Sequence, residues 1–402
     1  MLLTKGGCMS LKSKLSITLF VSLSTLSGNS VSSELNDKLP RATKAEQTMS
    51  FWDLPYLDGA YISTRPEKKS DGIEVGDLSL VTKNKHEIIQ LSNEIQSGKY
   101  GLYDSLLISH KNKLIYESYY RRSRVDLPTG QASATKTLTS LIVGIAIEQG
   151  HLTLDDLHKP IINFFEALDK SKFVSGVEKI TLHKALTMRG GLKIDQDIIQ
   201  KLEKFPEKLK GQKYIQVLLE HSKPITDASQ KFAYGNFNDM LVMHVLDVVL
   251  PEGAEQFIKK ELLERLTIKQ FEWKNSLSGV PEAGWRVKLT SRDMLKWGSL
   301  LLNDGNWEGQ QLVSKAYLNK ATSAIVDPLD TWIPDNYKYG YFIYQADISI
   351  DDKQFKANFA WGGGGQYVIS VKDLDLVVVI KGHDREDKIL DAVLKTVLPA
   401  FL

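Results

Sequence analysis

Cysteine is nearly missing from this sequence: one in 402 residues, Cys8. It precedes an apolar run near the N-terminus, where it is badly placed for lipid attachment after cleavage. A chain cleaved beyond it would hold no thiol, which excludes disulfides, thiolate catalysis and cysteine-ligated metal. Charge of one sign is also lacking. Lys and Arg total 51 against 49 Asp and Glu, a formal +2, and no basic block occurs. Nothing therefore argues for a nucleic-acid partner or for electrostatic membrane attachment. The longest N-terminal apolar run, Leu15 to Leu26, is too short and too rich in Ser and Thr to give a stable membrane span. No fixed-period repeat or low-complexity tract is present. Gly-x-Ser-x-Gly is absent, which disfavours a serine–histidine–acid hydrolase built on that elbow. The eight histidines never fall in an H-E-x-x-H spacing, so no metal site is expected.

What is present has ordinary globular composition, 42% apolar and 25% charged, with ample length for a large core. Residues 1–33 read as a secretory signal: Lys5, Lys12 and Lys14, then the apolar run, then the small-residue exit Val31-Ser-Ser33. A periplasmic or secreted location follows, the alternative being a weakly anchoring tail. Residues 34–84, with Pro40, Pro55 and Pro66 and little periodicity, read as an irregular extension wrapped on the domain. Residues 85–402 form the domain itself. Lys85 to Ser97 has helical spacing and stops at Gly98. Asp104–His110 and Leu114–Tyr120 read as strands joined at Lys111-Asn-Lys113. A mostly helical stretch, about 155–290, follows. Strand character returns at Tyr341–Tyr344, Phe355–Ala360, Gln366–Val371 and Leu376–Ile380, before a C-terminal helix over 387–398. Strands at both ends with helices between predict an α+β fold. One antiparallel sheet would carry the terminal helices on one face and an inserted helical lobe on the other, with a cleft between.

The chain is organised around residues 131–150, which read as a helix apolar on almost every side from Leu138 to Ile147 and therefore buried. Ser133 and Lys136 fall three residues apart on one face of its first turn. Burial of the amine would lower its pKa, and a neutral lysine can take a serine proton, making Ser133 a nucleophile. Alone, this short pattern is explained as well by an N-cap serine and a solvated lysine. Phe232-Ala-Tyr-Gly-Asn236 precedes another helix. There Tyr234 could relay a proton and Asn236 could orient the lysine and a substrate amide, although both residues could simply pack at a helix start. Trp361-Gly-Gly-Gly-Gly-Gln366 runs into a strand, where glycines permit close approach of substrate backbone and an N–H can face a developing oxyanion; a β-bulge is the alternative.

The order Ser-x-x-Lys, Tyr-x-Asn and a late glycine-rich strand resembles the serine β-lactamase and penicillin-binding superfamily. The similar branch is the class C-like one, with its carboxylesterases, D-aminopeptidases and 6-aminohexanoate-dimer hydrolases. Residues 142–156 resemble the family's helix and turn after the nucleophile, residues 180–192 its "ITI-x-x-LLT-H-TSGL" segment, and residues 289–298 its "T-A-R-D-x-A-R-F-G" helix. The resemblance implies Ser133 as acylated nucleophile, Lys136 as its base, Tyr234 in proton transfer and Asn236 as positioner. It further implies an oxyanion hole from the backbone N–H groups of Ser133 and Gln366, and no cofactor. Two departures stand out. The family's third motif carries Lys-Thr-Gly or His-x-Gly, whereas Gly363, Gly364 and Gly365 stand here without a cation; and "H-T-S-G-L" reads Met188-Arg-Gly-Gly-Leu192. Arg189 could supply a substitute cation from the other wall of the cleft. The expected activity is hydrolysis of a small-molecule amide or ester through a Ser133 acyl-enzyme. The alternatives are a β-lactamase or D-alanyl peptidase, or a non-catalytic binding or sensory module. Oligomeric state is not legible.

Overall fold

The computed structural model describes residues 38–384 and 388–402; the signal expected over 1–33 lies outside them. Among the described residues, nine strands form the main sheet. Two come from the N-terminal segment, β1 (Tyr61–Ser63) and β2 (Glu74–Val75), and two form the early hairpin, β3 (Tyr103–His110) and β4 (Lys113–Tyr119). After the helical excursion follow β5 (Tyr337–Tyr339), β6 (Tyr344–Ile350), β7 (Lys353–Gly362), β8 (Gln366–Val371) and β9 (Leu376–Gly382). Their spatial order is β1-β4-β3-β9-β8-β7-β6-β5, every neighbour antiparallel. The extension is thus more than an irregular wrap: β1 pairs with β4, and β2 adds the one parallel pairing of this sheet beside the same strand.

The β3–β4 hairpin closes through Lys111 and Asn112, both left-handed at φ 48° and 60°. That geometry matches the twist of the flanking strands. The early strands and the late ones join in register where β3 pairs with β9, so the sheet is completed only by residues more than 250 positions apart.

Helix α1 (Lys85–Ser97) ends at Gly98 with φ 85°, the left-handed stop a helix end favours. The other helices used below are α2 (Thr135–Glu148), α3 (Asn236–Val249), α4 (Ser291–Leu302) and α5 (Ile389–Val397). Strand alternation assigns the faces. Tyr116, paired with Ile108 and through it with Val378, donates its hydroxyl to Ser92 of α1. Val377, the next residue along β9, packs where a Cβ on Gly298 of α4 would stand, 2.9 Å away. So α1 and α4 cover opposite faces, and α5 packs beside α1. Thr290 caps α4 by accepting from the Asp293 amide at 3.1 Å, as its sequence pattern predicts.

Tyr341–Tyr344 departs from its predicted strand. Only Tyr344 joins β6; Phe342 takes φ 56°. Its amide donates to Leu186 O at 3.0 Å, and its carbonyl accepts from Thr137 Oγ1 of α2 at 2.8 Å. Bonds to two helices hold these apolar residues out of the ladder.

Candidate active site

Helix α2 is buried from Thr135 through Ala146, as a segment apolar on every side should be. The turn ahead of it is a single 3-10 turn, Ala132–Ala134, entered through Ala132 at φ 46°. Gln131 anchors the approach by donating its amide to Val287 O at 3.1 Å. Just before it, Thr129–Gly130 pairs with Lys288–Leu289.

Ser133 sits in that turn, half-buried. Its hydroxyl caps nothing: neither the 3-10 turn nor α2 carries a side-chain cap. Nor is Lys136 a solvated first-turn residue, since it is only 1% exposed. Both halves of the structural alternative therefore fail.

Lys136 Nζ donates to Asn236 Oδ1 at 2.9 Å and to Gly284 O at 3.3 Å, and pairs with Asp239 Oδ2 at 3.1 Å. It also lies 5.1 Å from the centre of the Tyr234 ring. Asn236 is the first residue of α3 and Asp239 stands three residues on, so one helix face presents both. The Tyr-x-Asn segment, 98 to 100 positions later in sequence, thus reaches the lysine.

The amine departs from expectation. Burial pulls its pKa down, but the charge of Asp239, helped by Tyr234, outweighs burial and holds it above the ordinary lysine value. The sequence argument for a lowered lysine pKa included desolvation and omitted the counter-ion. Asp239 itself is pushed up by burial and drawn back by Lys136. Sequence reading missed Asp239, although an aspartate opening the apolar run Met240–Met243 is a signal that could have found it. It missed Gly284 as well: a Cβ there would stand 2.2 Å from Asp239 Oδ2 and 2.9 Å from Lys136 Nζ.

The glycine-rich segment meets the Ser133 turn. Strand β7 runs past its last β6 pairing, Tyr344↔Phe359, and continues to Gly362. A Cβ on Gly362 would stand 2.3 Å from Gln131 O and 3.0 Å from Ala134 N. Gln366 is the cross-strand partner of Gly362 in the next strand inward, and its side-chain amide donates to Gly382 O. The backbone of Gly362, the cross-strand partner of the expected Gln366, thus comes up against the serine turn. Gly363, Gly364 and Gly365 form the intervening loop. Gly364 and Gly365 are left-handed, at φ 89° and 83°, and a Cβ on Gly365 would strike the Tyr103 ring at 2.3 Å. Gly363 faces open space.

Arg189 does not reach over the cleft as a free cation. Its Nε donates to Thr187 Oγ1 at 2.9 Å, and Nη2 lies 2.9 Å from His183 Nε2. Burial, then the neighbouring Arg189 charge, lowers His183 to about 4.

A cavity of about 380 Å³ borders the serine turn at Ala132 and the loop at Gly363. Phe51, Trp52 and Trp285 wall it, and Lys381 lines it. Lys381 Nζ is held by the carbonyls of Thr129 and Leu289, each at 2.8 Å, and burial lowers its pKa to about 7. On the Tyr234 side, Trp332 stacks edge-on against Tyr234 at 5.3 Å and against Trp361 at 5.3 Å. Trp52, Trp285 and Trp332, at 64, 52 and 51% exposure, are the exposed tryptophans among the described residues; the first two wall the cavity and the third packs on Tyr234. Among the same residues, no group of three or more acidic, histidine or cysteine side chains could hold a metal ion.

An antiparallel sheet with a helical lobe, and a buried helix opening on Ser-x-x-Lys against the glycine-rich end of a sheet strand, define the β-lactamase and transpeptidase class of fold. The sequence profile of the Beta-lactamase family matches residues 100–391, and the chain belongs to that family. Its fold is similar to that of a candidate 6-aminohexanoate-dimer hydrolase from Bacillus anthracis, with a TM-score of 0.61 and 16% identity over 85% of this chain and 90% of the other. It is similar also to a D-stereospecific amidohydrolase from Streptomyces sp. (TM-score 0.57, 14% identity, 77% of this chain and 98% of that one). A class C beta-lactamase matches with a TM-score of 0.56 and 15% identity, over 79% and 95% of the two chains. No curated protein matches the sequence.

Proposed function

We propose that this protein is a serine hydrolase that cleaves a small, uncharged ester or amide through a covalent acyl-enzyme on Ser133. The observation that carries the reading is the uncapped Ser133 hydroxyl at the head of a buried helix, with Lys136, Asn236 and Tyr234 gathered behind it. A structural serine would cap the helix, and a binding module needs no buried lysine held beside a tyrosine. Attack by Ser133 Oγ forms the ester bond to the acyl carbon and expels the alcohol or amine. Water then repeats the attack and frees the acid. The developing oxyanion is stabilised by the Ser133 amide and by a backbone amide of the glycine segment at Gly362 or Gly363, a role the sequence reading gave to Gln366. The aromatic walls favour apolar groups on both sides of the scissile bond. Residues 1–33 would direct export, which the N-terminal mass of the secreted protein checks.

The test is intact-mass spectrometry after treatment with a fluorophosphonate. One adduct, mapped to Ser133, is expected. Modification of another serine, or none together with ester turnover, overturns the proposal.

A further inference from the structure

We propose that Asp239 is a positioning residue for this hydrolysis: it holds Lys136 as an ammonium between Asn236 and Gly284, so that the lysine serves the site as a fixed charge and does not take up the Ser133 proton. The proposal rests on the reading of Ser133 as nucleophile and adds a residue that the serine, lysine, tyrosine and asparagine motifs do not contain.

The geometry is that of a charged lysine. An ammonium has three N–H donors and no lone pair; Lys136 Nζ donates to Asn236 Oδ1 at 2.9 Å and to Gly284 O at 3.3 Å, and the Asp239 carboxylate stands 3.1 Å away as its ion-pair partner. A neutral amine would turn its lone pair toward one of them and leave the fully buried Asp239 without a counter-ion. Gly284 carries the same message, because any side chain at that position would collide with both members of the pair. The charged and titratable surroundings reinforce it. Glu282, two residues before Gly284, is a second buried carboxyl, pushed toward its neutral form by burial and by Asp239, with Arg286 nearby. Tyr214, from the helix Lys213–His221, and Tyr339, from β5, are both raised, chiefly by burial and further by the Asp239 charge. Tyr234 completes the ring around the amine. Within this enclosure Lys136 is the only side-chain cation that pairs with Asp239 among the described residues.

The chemical step then balances without the lysine proton. Lys136 and Asp239 keep their charges while the bond from Ser133 Oγ to the acyl carbon forms and the old C–O or C–N bond breaks, so the Ser133 proton ends on the departing alcohol or amine and none is taken up by the lysine.

The experiment compares kcat and KM against pH, on a p-nitrophenyl ester, for the native protein, Asp239→Asn, Asp239→Glu, Lys136→Arg and Lys136→Ala. Asp239→Asn is expected to lower kcat roughly tenfold or more with little change in KM. It should also bring in a loss of activity on the alkaline side that begins at lower pH than in the native protein, since a buried amine without its counter-ion deprotonates early. Asp239→Glu should recover part of kcat. Lys136→Arg, permanently charged, should remain well above Lys136→Ala. An Asp239→Asn protein with the native pH profile overturns the proposal, as does an arginine variant no more active than the alanine one. If Asp239→Asn does not fold, the arginine–alanine comparison decides alone. Failure of the underlying reading shows separately, as ester turnover that survives Ser133→Ala.

Discussion

The carbonyl oxygen of Gln131 lies 2.3 Å from the point where a Cβ on Gly362 would stand. Strand β7 and the turn that carries Ser133 are therefore in backbone contact, and only a glycine permits the approach. Gly362→Ala should push the turn away from the strand edge. A displacement near 1 Å in a catalytic constellation costs on the order of 10²-fold in rate. Esterase kcat/KM should fall by about that factor while the far-ultraviolet circular dichroism stays native, which activity and spectra measured on one preparation will show. An alanine variant of native activity would place the oxyanion-binding edge elsewhere.

Ser133→Ala removes a hydroxyl that caps no helix. Its thermal midpoint is expected to match the native one, with fluorophosphonate labelling and turnover both abolished. Losing a functional N-cap costs about 0.5–2 kcal/mol; a midpoint drop of that size, read by calorimetry, would return Ser133 to a structural role.

The aromatic walls predict preference. Trp52 and Trp285 flank the cavity beside Ala132 and Gly363. Trp52→Ala is expected to raise KM for a naphthyl ester by roughly tenfold and for an acetate ester by much less, because a buried ring contact is worth about 0.5–1.5 kcal/mol beyond its area. Parallel kinetics on the two esters measure this, and equal effects would remove the ring from substrate contact.

A β-lactam carries a carboxylate beside its scissile amide, and the loop at Gly363 offers it no cation. A charge-assisted hydrogen bond there is worth roughly 1.5–3 kcal/mol, about one to two decades in acylation rate. A chromogenic cephalosporin should therefore turn over slowly compared with a neutral p-nitrophenyl ester. Gly363→Lys meets no atom within 4 Å of its Cβ, so it should fold, and it should raise lactam acylation more than ester acylation. Fast cephalosporin turnover by the native protein would instead favour a β-lactamase.

Stability should depend on one buried pair between the helical region and the sheet. Arg292 of α4 donates to Glu117 of β4 at 2.7 and 2.6 Å and to Asp71 at 3.0 Å, with Arg292 and Glu117 almost fully buried. Glu117→Ala strands the guanidinium, and breaking such a pair typically costs about 3–5 kcal/mol. Urea denaturation should show that loss; a change below 1 kcal/mol would mean that Asp71 compensates.

Where a motif depended on local spacing, it was legible in the sequence. The buried helix, its Ser133 and Lys136, the capped start of α4 at Thr290, the stop of α1 at Gly98 and the run Gln366–Val371 all follow from periodicity and end signals that act over a few residues. The fold class was also readable, because strands at both ends of the chain with helices between leave few ways to complete an antiparallel sheet. The pairing of β1 and β2 with β4 was not, since strands of two or three residues carry almost no periodic signal. The lysine's charge state was beyond sequence as well. Burial alone argued for a neutral amine, and the sign reversed only when α3 folded back to set Asp239 at 3.1 Å, an interaction whose strength depends on distance and local dielectric. The approach of Gly362 to the serine turn, the engagement of Arg189 by Thr187 and His183, and the placing of Trp52 and Trp285 on one cavity and of Trp332 on Tyr234 are decisions of the same kind. Each depends on which distant backbone passes nearby, and only the tertiary structure sets that.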